Sequence, residues 1–285
     1  MARPHIEFIH SQTIPWKLLG EGASRPGARG KSLSFDPATK AASTILDYPS
    51  GWRMDRPHYL ECDEELFVLR GRVNVGAMEY RAGDYAYLPA GMPRPEMSSD
   101  DGATVLTFFE GPHRSVCEAP PDDLYDPTRL VARIDTGAMA WSAPGDPVIA
   151  ATANDCGRKS LRRDPSTGES TWILKMGPDN PHTLTAGRTE RHPVVEEFFM
   201  LENEITMTCG VLKPGAYFWR PPGIEHGPVG TLTGFVGFFR CKGGPLSTQW
   251  SDDAFPIDWA PAYAPALPER LREIAFQSYD PALSY

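Results

Sequence analysis

The 285-residue chain contains a second copy of its own pattern. KSLSFDPATKAASTIL (31–46) aligns without a gap on KSLRRDPSTGESTWIL (159–174). EELFVLRG (64–71) aligns on EEFFMLEN (196–203), and GDYAYLPAGMP (83–93) on GAYFWRPPGIE (215–225). The offset is 128 residues for the first pair and 132 for the other two, so one four-residue insertion separates collinear halves. Trp16 and Trp141 mark the two starts at a slightly shorter offset. Three ordered blocks at nearly constant spacing establish a duplication, and with it two domains of one fold.

Each half reads as strands. ELFVLRGRVNV and YRAGDYAYLP mix alternation with aromatic and β-branched residues between Gly and Pro. ATVLTFF (103–109) and TGFVGFF (233–239) are expected to be the buried closing strands. The 29 Pro and 26 Gly suit short strands joined by turns. The expected class is all-β, with a sandwich or barrel in each half, the first over 1–120 and the second over 139–245. Residues 121–138 would be the linker, and 246–285 a tail with a short helix within PERLREIAFQSY (268–279).

A formal net charge of −9, with no run of basic residues, argues against a nucleic-acid partner. Five scattered cysteines without a CxxC pair read as reduced thiols. The N-terminus lacks the pattern of a secretory signal, and no run of 18 apolar residues suggests a membrane span. A cytoplasmic location is expected.

The chemistry-bearing residues lie in the second half. On one strand Glu190, His192, Val194 and Glu196 would point the same way, and His226 would join them after the stiff PPG turn. Two imidazoles with one or two carboxylates suit a divalent metal, Fe(II) first and Mn, Zn or Ni as alternatives. Glu190 is read either as a fourth ligand or as a general base. The same residues could also be a merely hydrogen-bonded set, or two carboxylates sharing a proton. In the first half the equivalents are His58, Leu60, Glu64 and Arg94. Leucine cannot ligate and arginine repels a cation, so that half is expected to have lost metal. It would either be purely structural or hold an anionic ligand through Arg94 and His58. Tyr217 and Trp219 share one strand face, while Phe198 and Met200 continue the parity of Glu196; all four would line a substrate pocket or fill the core.

These blocks resemble the cupin superfamily, whose motifs are G-x5-HxH-x3/4-E-x6-G and G-x5-PxG-x2-H-x3-N. Gly215, Pro221, Gly223 and His226 fit the second motif as far as its histidine, and Gly230 stands where its Asn would be. In the first motif Glu190 replaces the first histidine, His192 and Glu196 are kept, and Asn203 replaces the closing glycine. The resemblance covers about residues 10–245 and implies a bicupin, two tandem jelly-roll barrels, and a homodimer through an edge strand such as HIEFI. Tyr217, Arg220, Pro221, Pro222, Gly223, His226 and Pro228 look like the ChrR-like group and small cupin dioxygenases, which adds Arg220 to the substrate-binding set. The resemblance implies a metal-dependent enzyme acting on a small molecule. The leading expectation is an Fe or Mn dioxygenase of an aromatic or dicarbonyl-type substrate. A non-redox lyase, isomerase or hydratase using Glu190 as base, and a non-catalytic sensor, are the alternatives.

Overall fold

The computed structural model describes residues 3–283 and 285, and divides them into two compact units. Ile14–Met139, with Arg3, form one; Pro4–Thr13 and Ala140–Tyr285 form the other. The main sheet of the first unit runs Val131–Asp135, Asp84–Leu88, Glu64–Val75, Ala103–Phe109, Ala42–Tyr48, Arg29–Phe35, Lys17–Leu18. The second runs Ile6–His10, Ala216–Arg220, Val195–Asn203, Phe235–Lys242, Ser170–Met176, Gly157–Arg163. The five strands from Asp84–Leu88 to Arg29–Phe35 correspond to those from Ala216–Arg220 to Gly157–Arg163 at the offsets of the repeat, and all these pairings are antiparallel. The all-β architecture of two tandem barrels is therefore the one expected.

The domain boundaries differ from the sequence reading at both ends of the first barrel. Val131–Asp135, in the expected linker, is the edge strand of the first unit, whereas Ile6–His10 is the edge strand of the second. The segment preceding each repeat thus completes the other barrel. Either segment carries enough alternating apolar residues to fit either edge, so local sequence does not decide the pairing. The tail is also not a free extension. Gln249–Pro256 pairs with Ala186–Arg191, and helix in the expected 268–279 stretch is confined to Glu269–Arg272. Among the described residues, no helix is long and apolar enough to cross a membrane.

The strands at 103–109 and 235–242 are central rather than closing. Each lies between two neighbours in its main sheet, and every residue of Ala103–Phe109 is buried. This is why they read as unbroken apolar runs instead of alternating ones. Each unit has its own core: Leu66, Val68, Leu88 and Val105 lie in the first, and Phe8, Phe198, Phe218 and Phe239 in the second. Phe8, fully buried, brings the N-terminal strand into that second core. Replacing it with alanine removes a buried ring, and Phe8→Ala should lower the unfolding free energy of the second barrel by about 3–5 kcal/mol in urea titration. A loss below about 1 kcal/mol would mean that the strand is not part of that core.

Candidate metal centre

The site forms where three pieces of backbone are tied together. Strand Ala186–Arg191 ends just before Pro193, so Glu190 and Glu196 stand on two separate strands, not on the continuous one expected from spacing. Convergence comes from the ladders. Glu190 and His226 exchange both backbone hydrogen bonds at 2.9 Å, and the Gly223 amide donates to the His192 carbonyl at 2.8 Å. Gly223 has φ +82°, the left-handed conformation that the PxG turn needs and glycine adopts freely. The first barrel repeats this scaffold, with Gly91 at φ +74° donating to Leu60 and with His58 paired to Arg94.

The resulting geometry suits a cation. Glu190, His192 and His226 each offer a ligand atom within 4.8 Å of the others. The Glu190 oxygens lie 3.8 Å from His192 Nε2 and 3.6 Å from His226 Nε2; those of Glu196 lie at 3.8 and 3.4 Å. Ligands about 2.0–2.2 Å from one central ion would be separated by such distances. The Nδ1 atoms of His192 and His226 lie 3.0 and 3.1 Å from the carbonyls of Ser247 and Ile224. That contact favours hydrogen on Nδ1 and a lone pair on Nε2. Both Nε2 atoms are buried without a hydrogen-bond partner, which is costly unless something else engages them.

Glu196 is additionally held from behind. It stands directly opposite Arg220 in the ladder, and Arg220 Nη1 donates to its Oε2 at 2.7 Å. Arg220 is itself paired with Glu7, Nε donating to Oε2 at 2.8 Å. Burial raises the Glu196 pKa, but Arg220 and the two imidazoles outweigh it and hold the carboxyl below the usual range. Glu190 has no such clamp; among the described residues its carboxylate ion-pairs only with the two imidazoles. Glu7 escaped the sequence reading because its partner is over 200 residues away.

These side chains stand at a cavity of about 570 Å³ whose wall is largely apolar, including Trp172, Leu174, Met207, Phe218 and Phe239. Of the five substrate-binding candidates, Arg220 lines this cavity, although its guanidinium is engaged by Glu7 and Glu196. Phe198 and Met200 lie in the core without lining it. Tyr217 and Trp219 take the opposite face: the pairing of Glu196 with Arg220 and of Phe198 with Phe218 turns residues 218 and 220 inward. The Tyr217 hydroxyl instead donates to Glu197 at 2.7 Å. Sequence reasoning also missed the mouth of the cavity, where helix Pro147–Thr152, capped by Asp146, contributes Val148 and Ile149.

In the first barrel the structure places His58, Glu64 and Arg94 together, all buried. Arg94 donates to Glu64, and an unforeseen residue, Arg25, donates to both Glu64 oxygens at 2.9 and 2.8 Å. Two guanidinium groups thus occupy the surroundings of the carboxylate that in the second barrel faces two imidazoles. Glu65 is buried and accepts from the Tyr85 hydroxyl, the counterpart of the Tyr217–Glu197 bond.

Residues 5–113 match the family described as the ChrR cupin-like domain, a match that falls on the half lacking the paired histidines. No curated protein matches the chain. Among solved structures, a candidate dioxygenase from Nostoc punctiforme PCC 73102 is similar, with TM-score 0.76 and 16% identity over 92% of both chains. A single-residue variant of oxalate decarboxylase from Bacillus subtilis is similar with TM-score 0.55 and 12% identity over 85% of this chain and 78% of that one. The match over residues 5–113 and these likenesses give the chain the fold of two tandem cupin-type barrels.

The Glu7 clamp has a measurable pH signature. Burial raises the Glu7 pKa, while Arg220, by charge and hydrogen bonding, and His5 lower it, for a net fall from 4.5 to about 2. Its contribution is therefore complete above about pH 4.5 and lost as pH falls through about 2. Glu7→Gln should cost about 3 kcal/mol at pH 7, and the gap from wild type should close between about pH 5 and pH 2 in urea unfolding. A gap independent of pH would show that Glu7 is not the ionised partner.

Proposed function

We propose that the protein is a metal-dependent cupin enzyme, a non-haem Fe or Mn dioxygenase acting on a small aromatic or dicarbonyl-type molecule in the second barrel. The observation that carries this reading is the pair of buried imidazoles with anchored Nδ1 and unpartnered Nε2 atoms, facing two carboxylates at an apolar cavity. His192, His226, Glu196 and Glu190 would hold the ion. When bound, it would supply Lewis acidity towards a chelating oxygen and, as Fe or Mn, an electron partner for dioxygen. A set of nitrogen and oxygen donors without thiolate supports Fe or Mn, with Zn and Ni as the alternatives. The Mn(II) centres named for the Bacillus oxalate decarboxylase are consistent with such a fold holding this metal.

The chain's own groups divide the remaining work. Arg220 keeps Glu196 ionised and oriented, so Glu196 is a fixed donor and a poor proton carrier. Glu190 is free of any guanidinium and is the carboxylate better able to take a proton from a substrate. The aromatic and aliphatic wall excludes water and favours an apolar body. Arg158, over the Trp172 ring at 4.3 Å with its Nε unpartnered, would meet a negative group on the part of the substrate remote from the ion.

The freedom of Glu190 also favours the second reading, a non-redox lyase, isomerase or hydratase, in which proton transfer alone does the work. Oxygen-electrode measurements with enolisable and phenolic candidates separate the two. The dioxygenase reading expects uptake of about one O2 per substrate consumed, while turnover unchanged under nitrogen establishes the lyase class. Elemental analysis of protein purified without added metal should find close to one Fe or Mn per chain. His226→Ala should lower that content about tenfold or more with the barrel still folded. Metal content equal in both proteins would remove His226 from the site.

A further inference from the structure

The first barrel has a charge imbalance of its own. Arg25 and Arg94 are 0% and 1% exposed, and the carboxylate they share, Glu64, is 2% exposed. Glu64 is fully used: Arg25 Nη2 reaches both its oxygens and Arg94 Nη1 reaches Oε2. Arg25 Nη1 donates to the Ser24 carbonyl at 2.8 Å. What remains is a set of buried nitrogens with no partner: Arg94 Nε, Arg94 Nη2, Arg25 Nε and His58 Nε2. His58 and Arg94 face each other across the backbone, with mutual hydrogen bonds of 3.0 and 2.8 Å. His58 Nδ1 is already engaged by the Arg56 carbonyl at 3.0 Å.

The other groups that feel this cluster do not neutralise it. Tyr48, Tyr80 and Cys62 all interact with Glu64 and Arg94, and burial raises the pKa of each, keeping them protonated. Burial pushes His58 down to about 4 and lowers His113 as well, so neither imidazole is charged at neutral pH. Two guanidinium ions against one carboxylate leave one positive charge in the barrel interior. An uncompensated buried charge is costly, and each unfilled donor adds to the cost.

We propose that the first barrel binds a small monovalent anion, with a carboxylate as the favoured chemistry, held by Arg94 and Arg25. A guanidinium edge presenting Nε and Nη2 suits the two oxygens of a carboxylate. Neutral His58 gives its Nδ1 hydrogen to the Arg56 carbonyl, so the donors of the site are the guanidinium nitrogens. One negative charge neutralises the cluster, and a dianion would overshoot. The site lies outside the second barrel and does not depend on the metal chemistry proposed there.

Sodium formate is the probe, titrated into the full chain at constant ionic strength with methanesulfonate as the balancing anion. Wild type is expected to bind formate saturably by calorimetry and to show a matching rise in thermal unfolding midpoint. Arg94→Leu leaves Arg25 and Glu64 as a neutral pair and should weaken formate binding at least about tenfold while keeping its circular dichroism spectrum. Arg25→Leu removes the other guanidinium, likewise leaving a neutral pair, so it should weaken binding about tenfold; it carries the test if Arg94→Leu does not fold. His226→Ala, in the other barrel, should bind formate as wild type does. Crystals soaked in sodium bromide should show an anomalous peak beside Arg94. No saturable binding, binding unchanged in both first-barrel variants, or binding lost only in His226→Ala would each overturn the proposal.

Discussion

An ionised glutamate at the first inward position of a central strand is the constraint around which both barrels are arranged. Glu64 and Glu196 occupy equivalent places in the repeat, and both are buried. Taking a carboxylate out of water costs several kcal/mol unless charge and hydrogen bonds are returned to it. Each barrel returns them differently. The first surrounds Glu64 with Arg25 and Arg94; the second gives one oxygen of Glu196 to Arg220 and turns the carboxylate towards His192 and His226. The same backbone scaffold, down to the glycine amide of the PxG turn donating to residue 60 or 192, therefore serves opposite electrostatic ends.

The residual charges follow from these choices. In the second barrel Glu7 and Glu196 share Arg220, while Glu190 adds a carboxylate that no guanidinium clamps, an arrangement that suits a cation. In the first, two guanidinium groups oppose one carboxylate, leaving a single positive charge. Duplication allowed the two interiors to diverge, because a substitution in one copy leaves the other copy's site intact.

Much of this was legible in the chain. The duplication, the strand character and the PxG turn are written in local patterns with few alternatives, and Glu190, His192, Glu196 and His226 do converge. What stayed hidden has particular causes. Arg25 lies in a loop whose counterpart in the other half contains the helix at 147–152, so the repeat gives no hint of it. Glu7 pairs across more than 200 residues, and its strand could have completed either barrel by composition. The faces of Tyr217 and Trp219 depend on cross-strand register, which periodicity within one strand cannot reveal.

The position of the guanidinium decides what each glutamate can do. In the first barrel one of the arginines, Arg94, stands at the place taken by His226 in the second, so a positive charge sits where a ligand would have to be. In the second, Arg220 stands where the first has Leu88, behind the carboxylate and not across the site from it. From there it can compensate the buried charge while leaving Glu196 facing the imidazoles. That placement would be of no use unless Arg220 were itself prevented from dominating the site. Glu7 does that, drawing the guanidinium towards the edge strand. The N-terminal strand is thus more than an edge cover: it supplies the charge that lets an arginine support a carboxylate without repelling a metal.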